Sequence, residues 1–377
     1  MKIKNLFYFS IFLLICLLAI TCPSVEKEGC CTCDAAQEQK KAAIPKGAFN
    51  FLVTGDPQYN YEEMNPDGVT ASNSDKIGAI FAQKICCEQY EGAIIAGDLT
   101  HYSREDEFER YQNFISCFKP YAFDGLGNHD YAWIEKEPED ISAFVEYGLG
   151  EIITLERVRW EAKCLTIWNE VRDRTRTPQT NGSYPNIHYS WDWGNVHFIQ
   201  LNLSAAENPT KFKPAQNPFK ALSFLKEDLA KQVGDSGRPV ILAHHYGFDG
   251  FSIGRNSDGI IIPKGEWWTG DDRQKYWETI APYNVIAIFT GHAHYCDECY
   301  LPWDGQSIGE DLVGPDFIPT FVSGAAREGK YLDCQLTNDS LIVHRISHGQ
   351  ELFRKAFAVD RAQPTLTRWF YKISNLF

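Results

Sequence analysis

The chain has 377 residues, of which 44% are hydrophobic and 23% are charged. That balance indicates folding around a packed core and excludes a disordered, collagen-like or coiled-coil protein for most of the length. The 36 Lys and Arg residues against 50 Asp and Glu residues give a net charge of −14. Because nucleic acid binding relies on a basic surface, we expect no nucleic acid partner.

Residues 1–22 are predicted to be a targeting segment. Lys2 and Lys4 precede an uncharged apolar run, Leu6–Ile20. Its fifteen residues are too few to cross a bilayer, which takes about 20, and match a secretory signal peptide. Cys22 lies where a bacterial lipoprotein carries its lipid, although the residues before it fit that pattern poorly. We therefore expect export, with free secretion favoured over membrane attachment through a lipidated Cys22.

The cysteines favour disulfides or thiols over a structural metal site. Three of them lie in a polar linker, residues 23–47, and Cys296 and Cys299 form a single C-x-x-C pair. A zinc ribbon needs two such pairs. Disulfides persist in exported proteins, and the sequence leaves their pairing open.

After the linker, short apolar runs alternate with segments of helical spacing. Helices are predicted over Ile77–Glu88 and Glu105–Phe118. A hairpin is predicted where Ile187–Trp191 and Val196–Leu201 flank the turn Asp192–Asn195. This alternation favours an α/β layered fold. The other predicted strands are Phe49–Thr54, Ala93–Ala96, Tyr121–Leu126, Val240–Ala243 and Val285–Phe289.

Each of those five strands is followed by a side chain that can bind a metal ion. The carboxyl ends of strands in an open α/β sheet form its ligand crevice, so we expect these side chains to meet at one edge. Carboxylate, amide and imidazole groups suit Mn, Fe or Zn. Their number exceeds the need of one catalytic ion and favours two ions that share a carboxylate. The candidate ligands are Asp56, Asp98, Asn128, His244, His292 and His294.

The motifs around these side chains occur in a specific order. They read Gly55-Asp56-x-Gln58, Gly97-Asp98, Gly127-Asn128-His129-Asp130, His244 and Gly291-His292-x-His294. This set resembles the calcineurin-like metallophosphoesterases. The resemblance implies one catalytic domain with insertions, residues 48–348, folded as a four-layer αββα sandwich of two mixed sheets flanked by helices. Residues 349–377 remain as a tail with apolar residues at helical spacing, which we expect to dock on the domain.

The resemblance also implies how two divalent ions are held. Asp98 would bridge them. The other ligands would be Asp56 and His294 for the first ion, and Asn128, His244 and His292 for the second. Of the adjacent histidines, His244 matches the family's ligand, which leaves His245 to a structural or substrate-facing role.

The same resemblance implies the catalytic groups. His129 would protonate the leaving alkoxide as the general acid, and Asp130 would orient His129 and keep it basic. A metal-bound hydroxide would attack phosphorus, because divalent ions lower the pKa of bound water.

Gln58 departs from the family pattern, which usually has Asp-x-His at the first motif. Its carbonyl oxygen would be a weaker ligand than an imidazole. His101 lies three residues after Asp98, where purple acid phosphatases place a ligating Tyr. We expect His101 to compensate for Gln58 by ligating the ion or by holding the attacking water. A supporting or substrate-contacting His101 remains the alternative.

The sequence therefore predicts an exported, metal-dependent hydrolase that acts on phosphate mono- or diesters. One alternative is an activity like that of a Ser/Thr protein phosphatase, suggested by the Asp-Pro-Gln and Gly-Asp-Leu-x-His motifs. Another is a non-catalytic metal-binding surface protein, suggested by Gln58. His129 and Asp130 argue against a pure binder, because it needs no general acid.

Overall fold

The computed structural model describes part of the chain. The predicted signal peptide, the linker cysteines, Cys296 and Cys299 lie outside that part, as do residues 361–377 of the predicted tail. No helix of the described part is both long and apolar enough to cross a bilayer. The described residues are 47–59, 72–101, 105–131, 180–181, 184–185, 188–207, 220–247, 270–294, 304–305 and 317–360.

Two mixed β-sheets, a two-stranded ribbon and several helices make up these residues. The helices are α1 (Asn73–Cys87), α2 (Glu105–Ile115), α3 (Ala221–Asp228) and α4 (Gly270–Ile280). The strands are β1 (Phe49–Thr54), β2 (Ala93–Ile95), β3 (Ala122–Asp124), β4 (Thr180–Asn181), β5 (Tyr184–Pro185), β6 (Tyr189–Trp193), β7 (Val196–Gln200), β8 (Val240–Ala243), β9 (Val285–Thr290), β10 (Thr320–Val322), β11 (Lys330–Leu336), β12 (Ser340–Ser347) and β13 (Gln350–Ala358).

Parallel strands lie in both sheets, and their carboxyl ends carry the predicted motifs. The first sheet has the order β13-β12-β11-β1-β2-β3, in which β1, β2 and β3 are parallel. The second has the order β10-β9-β8-β7-β6, in which β7 to β10 are parallel. The predicted hairpin is confirmed with a tighter turn. Trp193 continues β6 and pairs with Val196, so Gly194 and Asn195 alone form the turn.

Buried aromatic side chains fill the space between the sheets. Phe51 of β1 lies 5.6 Å from Phe198 of β7 and 6.0 Å from Phe289 of β9, measured between ring centroids. Phe123 of β3 stacks on Trp191 of β6 at 4.2 Å. All five side chains are fully buried. Each stabilises the fold by roughly 1.5–3 kcal/mol, because its apolar surface is removed from water. These contacts hold the two sheets face to face.

Helices cover the outer faces of the sheets. Phe81 of α1 packs edge-on against Tyr331 of β11. On the second sheet, Leu225 of α3 and Tyr276 of α4 bury against a separate core that includes Leu242 of β8. The order helix, sheet, sheet, helix confirms the predicted four-layer fold.

Helix α1 begins at Asn73, four residues before the predicted start. Ser72 and Asp75 form a capping box that satisfies backbone N–H groups at this end of the helix. Helix α2 ends at Ile115, shortly before the predicted end. The helix positions were therefore predicted well and their ends less well.

The tail was predicted to begin at residue 349, and the structure shows that this boundary is wrong. Residues 350–358 form β13, which pairs antiparallel with β12 along most of its length. The domain therefore extends to the end of this strand. The predicted helical spacing farther along the tail lies outside the described residues.

Two described cysteines are bonded and two are not. Cys87, the last residue of α1, and Cys117, just after α2, are disulfide-bonded. Cys86 and Cys334 are not disulfide-bonded.

Candidate metal centre

The loops that follow the parallel strands of both sheets meet at one edge of the sandwich. The backbone N–H of Asp56, after β1, donates to the carbonyl of Gly97, after β2. In the second sheet, the N–H of Gly291 donates to the carbonyl of His245. Gly55 donates to Gly324 at 3.2 Å. These bonds fix the loops on one another, as expected for the crevice at strand ends.

Two glycines allow the loops to approach so closely. A Cβ atom on Gly127 would lie 2.1 Å from Oδ1 of Asp98, and one on Gly291 would lie 2.5 Å from the Ala96 carbonyl and 2.9 Å from Oδ2 of Asp56. Asp56, Asp98 and His292 themselves have left-handed backbones, with φ of 52°, 52° and 71°. Such strain is uncommon for residues other than Gly and concentrates at functional sites.

Two groups of ligand atoms converge at this edge, and they share one carboxylate. Asp98, His245 and His292 form the first group, and Asp56, Asp98 and His294 form the second. Within each group all ligand atoms lie within 4.8 Å of one another. Four of the candidate ligands, Asp56, Asp98, His292 and His294, therefore belong to these groups, with Asp98 common to both.

His245, rather than His244, takes part in this convergence. Nε2 of His245 lies 3.2 Å from Oδ2 of Asp98 and 3.1 Å from Oδ1 of Asn128. Its Nδ1 faces the carbonyl of Ala96 at 2.7 Å, which holds the ring in place. His244 instead contacts the Tyr246 carbonyl and the Tyr276 hydroxyl. The structure therefore differs from the expectation for His244, because His245 and not His244 belongs to a group of converging ligand atoms.

Alternation along β8 explains this correction. Leu242 belongs to the core beneath α3 and α4, whereas Ala243 belongs to the core that includes the first sheet. Successive side chains of a strand point to opposite faces. His244 therefore continues toward α4, and His245 continues toward the first sheet and Asp98. Burial lowers the pKa of His244 to about 3, so this histidine is a neutral, packed side chain.

Asp98 is the electrostatic centre of the site. Its carboxylate is fully buried and accepts hydrogen bonds from the backbone of His129 at 2.9 Å and from Nε2 of Gln58 at 3.0 Å. Burial alone would raise the pKa of Asp98, but the charges of His245 and His129 outweigh burial and hold this pKa well below its usual range. Asp98 is therefore ionised at neutral pH.

The Asp98 carboxylate shifts the pKa of His245 in the opposite direction, upward. Burial lowers the pKa of an imidazole, but the charge of Asp98 outweighs burial and raises the pKa of His245 to about 9. A cation that binds beside Asp98 must therefore displace a proton from His245, so metal binding at this site is coupled to proton release.

Asp56 anchors the other side of the site. Its two oxygens accept from the backbone N–H of His292, and Oδ1 lies 3.0 Å from Nε2 of His294. Burial lowers the pKa of His294, but Asp56 outweighs it and raises that pKa above the ordinary value. Burial lowers the pKa of His292 well below its ordinary value. The Gly291-His292-x-His294 motif thus contains one histidine held by a carboxylate, His294, and one held neutral, His292.

His129 is held by its neighbours rather than by Asp130. Its Nδ1 lies 2.7 Å from the carbonyl oxygen of His101, and its ring stacks on that of His101 with centroids 4.8 Å apart. Asp130 instead accepts hydrogen bonds from Leu99, Thr100 and Gly127. The predicted contact from Asp130 to the His129 ring is therefore wrong. Burial and the nearby charge of Asp98 raise the pKa of Asp130 to about 7.

Gln58 and His101 are adjacent to the site without converging on either ligand group. Arginine can only donate, so the bond from Nη1 of Arg327 to Oε1 of Gln58 at 2.7 Å fixes the amide with its nitrogen toward Asp98. The expected metal-binding carbonyl of Gln58 therefore points away from Asp98. Burial lowers the pKa of His101 to about 4. His101 belongs to neither ligand group among the described residues. Its expected role, as a ligand or in holding the attacking water, therefore stays a prediction, as does the supporting or substrate-contacting alternative.

The converging donor set fits a divalent metal ion. It consists of two carboxylates, three imidazoles and the amide oxygen of Asn128. Such nitrogen and oxygen donors suit Mn, Fe or Zn, as the sequence indicated. Sharing Asp98 between the two groups is the arrangement that a pair of neighbouring ions requires.

This fold and this set of converging strand-end side chains are typical of a metallophosphoesterase domain. The model of the calcineurin-like phosphoesterase family matches residues 49–296. The chain therefore belongs to the calcineurin-like phosphoesterase family, which confirms the resemblance seen in the sequence. No curated protein matches the chain in sequence.

A plant phosphatase structure supports the same fold at low sequence identity. Purple acid phosphatase PPD1 from yellow lupin seeds (Lupinus luteus) is 13% identical, with a TM-score of 0.52, and the match covers 82% of this chain and 54% of that one. The structure of PhoD is 13% identical with a TM-score of 0.48, over 84% of this chain and 69% of that one. The match thus spans about half the length of the lupin enzyme.

Proposed function

We propose that this protein is an exported phosphoesterase that hydrolyses phosphate mono- or diesters with two divalent ions bound around Asp98. The observation that carries the proposal is the pair of ligand groups that share Asp98. Asp56 and His294 would hold one ion, and Asn128, His245 and His292 would hold the other. When bound, such ions acidify water and neutralise the charge of a phosphoryl group.

His129 is the proposed general acid. Its backbone N–H donates to Asp98 and its Nδ1–H donates to the carbonyl of His101, so the residue is tied to the ligand carboxylate at one end and fixed in ring orientation at the other. With Nδ1 committed to a carbonyl, Nε2 is the atom that can carry a proton to a leaving alkoxide. Asp130 fixes the loop after β2 instead, through Leu99 and Thr100.

The test is hydrolysis of a chromogenic phosphate monoester and its diester analogue with Mn²⁺, Fe²⁺ or Zn²⁺. Asp98→Asn serves as the blank, because it removes the shared charge and preserves the shape of the side chain. We expect metal-dependent turnover that disappears in the blank. Turnover that survives in Asp98→Asn, or that needs no metal, would contradict the proposal.

Export is a separate part of the proposal. It is supported by the apolar run before Cys22 and by the disulfide-bonded Cys87 and Cys117, since disulfides persist in oxidising compartments. Mass spectrometry of the chain recovered from its host tests export and distinguishes free secretion from lipid anchoring through Cys22. Loss of the first segment indicates export, an added lipid mass on Cys22 indicates anchoring, and an intact Met1 with all cysteines reduced would contradict export.

A further inference from the structure

Arg327 is a cation beside the metal centre with no carboxylate partner among the described residues. It is half-buried, and its one side-chain hydrogen bond in the described part of the chain is to the neutral amide of Gln58. A guanidinium has five N–H donors, so most of its donors are available to a ligand.

The position of Arg327 relative to the site is fixed on both sides. Through Gln58, the guanidinium lies two hydrogen bonds, of 2.7 and 3.0 Å, from Oδ2 of Asp98. Its charge also contributes to lowering the pKa of His101 and opposes the elevation of the pKa of His294. The guanidinium is therefore within electrostatic range of both ligand groups and of the stacked His101–His129 pair.

The backbone of Arg327 is anchored as firmly as its side chain. The residue lies in a single 3-10 turn, Ala326–Glu328. Its N–H donates to the Asp56 carbonyl at 3.3 Å, and its carbonyl accepts from Nδ2 of Asn73 at the start of α1. A cation whose backbone and side chain are both fixed can bind a ligand with little loss of conformational freedom.

We propose that Arg327 binds non-bridging oxygens of the substrate's phosphoryl group and favours phosphate monoesters over diesters. This inference rests on the proposed function. The planar guanidinium matches the geometry of phosphate oxygens and forms charge-assisted hydrogen bonds with them. A monoester has three terminal oxygens and a second negative charge near neutral pH, whereas a diester has two such oxygens and one charge. A further cation beside the ions therefore stabilises the monoester more.

A purely structural Arg327 would act only through Gln58. It would hold the Gln58 amide against Asp98, and its loss would change metal affinity or folding without a specific effect on anions. Two substitutions separate these roles. Arg327→Gln removes the charge, and Arg327→Lys keeps the charge but loses the planar fork.

The experiment measures binding of inorganic phosphate to the metal-loaded protein by calorimetry, with KM for the monoester and the diester. Arg327→Gln should raise the phosphate Kd and the monoester KM by about 10- to 100-fold, the range for a hydrogen bond to a charged group. Arg327→Lys should lie between wild type and Arg327→Gln, and the diester KM should rise less than the monoester KM. Arg354→Gln, on the exposed strand β13, removes the same charge at a position separated from β1 by two strands, and should change neither the phosphate Kd nor KM.

Several results would overturn the proposal. An unchanged phosphate Kd in Arg327→Gln, or a loss confined to metal content, would assign Arg327 a structural role. Equal losses for monoester and diester would remove the substrate preference. A wild type that binds phosphate through Arg327 but hydrolyses neither ester would refute the proposed function and leave the anion site intact. If Arg327→Gln does not fold, a wild-type phosphate Kd in Arg327→Lys would overturn the proposal.

Discussion

Two buried clusters of histidine and aspartate occur in the described part of the molecule, and only one has the geometry of a metal site. In the metal centre, Asp98, His245 and His292 direct one ligand atom each to a common point. In the second cluster, His197 lies between two carboxylates, with Nδ1 2.7 Å from Asp192 and Nε2 2.7 Å from Asp228. The two carboxylates therefore lie on opposite edges of one ring.

The two clusters contain the same types of side chain, but those side chains point in different directions. Asp228 also accepts from the hydroxyl of Ser190, and Asp192 accepts from Arg238, so the second cluster is a chain of hydrogen bonds that links β6, β7 and α3. Within the described residues, that chain does not bring three ligand atoms together as the metal centre does. Counting histidines and aspartates identifies both clusters, whereas convergence selects the metal centre.

Neutralising one aspartate in each cluster gives the largest expected contrast. Asp98→Asn should weaken metal binding by more than the ~100-fold typical of residues that only support a ligand, and should remove turnover. Asp228→Asn should leave metal affinity and turnover per folded molecule at wild-type levels. Equilibrium dialysis with elemental analysis measures the first quantity. Equal metal loss in the two variants would remove the distinction between the clusters.

His129→Ala separates proton donation from metal binding within the metal centre. Metal content should not change, because His129 contacts Asp98 through its backbone. Turnover of esters with poor leaving groups should fall by about 10²- to 10⁴-fold, the usual contribution of a general acid. Esters with good leaving groups, which need no proton, should be affected less. A plot of rate against leaving-group pKa gives the result, and an equal loss for all esters would exclude this role.

His197→Ala should affect stability rather than chemistry. It leaves the fully buried Asp228 carboxylate without its charged partner, and removing one partner of a buried pair costs about 3–5 kcal/mol. His197→Gln, which keeps a hydrogen-bonding side chain, should lose less. Urea unfolding measures both. Wild-type stability in His197→Ala, or a loss of bound metal from the folded variant, would contradict the structural role.

The smallest expected effect is the pH dependence of this second cluster. Burial lowers the pKa of His197, but the hydrogen bonds to Asp192 and Asp228 outweigh burial and raise it above its ordinary value of 6.5. The stabilisation is therefore fully present below pH about 6.5 and is lost as the pH rises through the raised pKa. The pKa of Asp192 is lowered from 3.8, because the hydrogen bonds and charges of His197 and Arg238 outweigh burial, so its contribution is lost as the pH falls into the acid range.

The difference in unfolding free energy between wild type and His197→Gln isolates the pH-dependent stabilisation that His197 provides. It should be larger at about pH 5.5 than at about pH 9. A difference that stays constant over this range would show that His197 does not gain a proton on folding.

Most of the fold could be predicted from the sequence because strong local signals mark it. Strands β1 and β8 begin and end at the predicted residues, since each is a short apolar run closed by polar or glycine residues. Strand β13 was missed because an edge strand with little burial has no alternation of apolar and polar residues. The resemblance, rather than the residue pattern, supplied the four-layer arrangement.

The convergence of several candidate ligands could be predicted from the sequence, whereas their individual contacts could not. Strand ends identified Asp56, Asp98 and His292, because convergence of parallel strands is a property of the fold. The choice between His244 and His245 depended on which face of β8 meets the first sheet, and that information lies in the packing. The partner of Gln58, Arg327, lies 269 positions away in sequence, so no local pattern could reveal it.

The most direct test of the metal centre compares His245→Ala with His244→Ala in one metal-binding measurement. Both changes remove a fully buried histidine from the end of β8, so each controls for the loss of folding in the other. We expect His245→Ala to lose metal, as measured by equilibrium dialysis with Mn²⁺ or Zn²⁺, and folded His244→Ala to keep the wild-type content. Metal loss in His244→Ala with full occupancy in His245→Ala would contradict the convergence on Asp98 and restore the assignment made from the sequence.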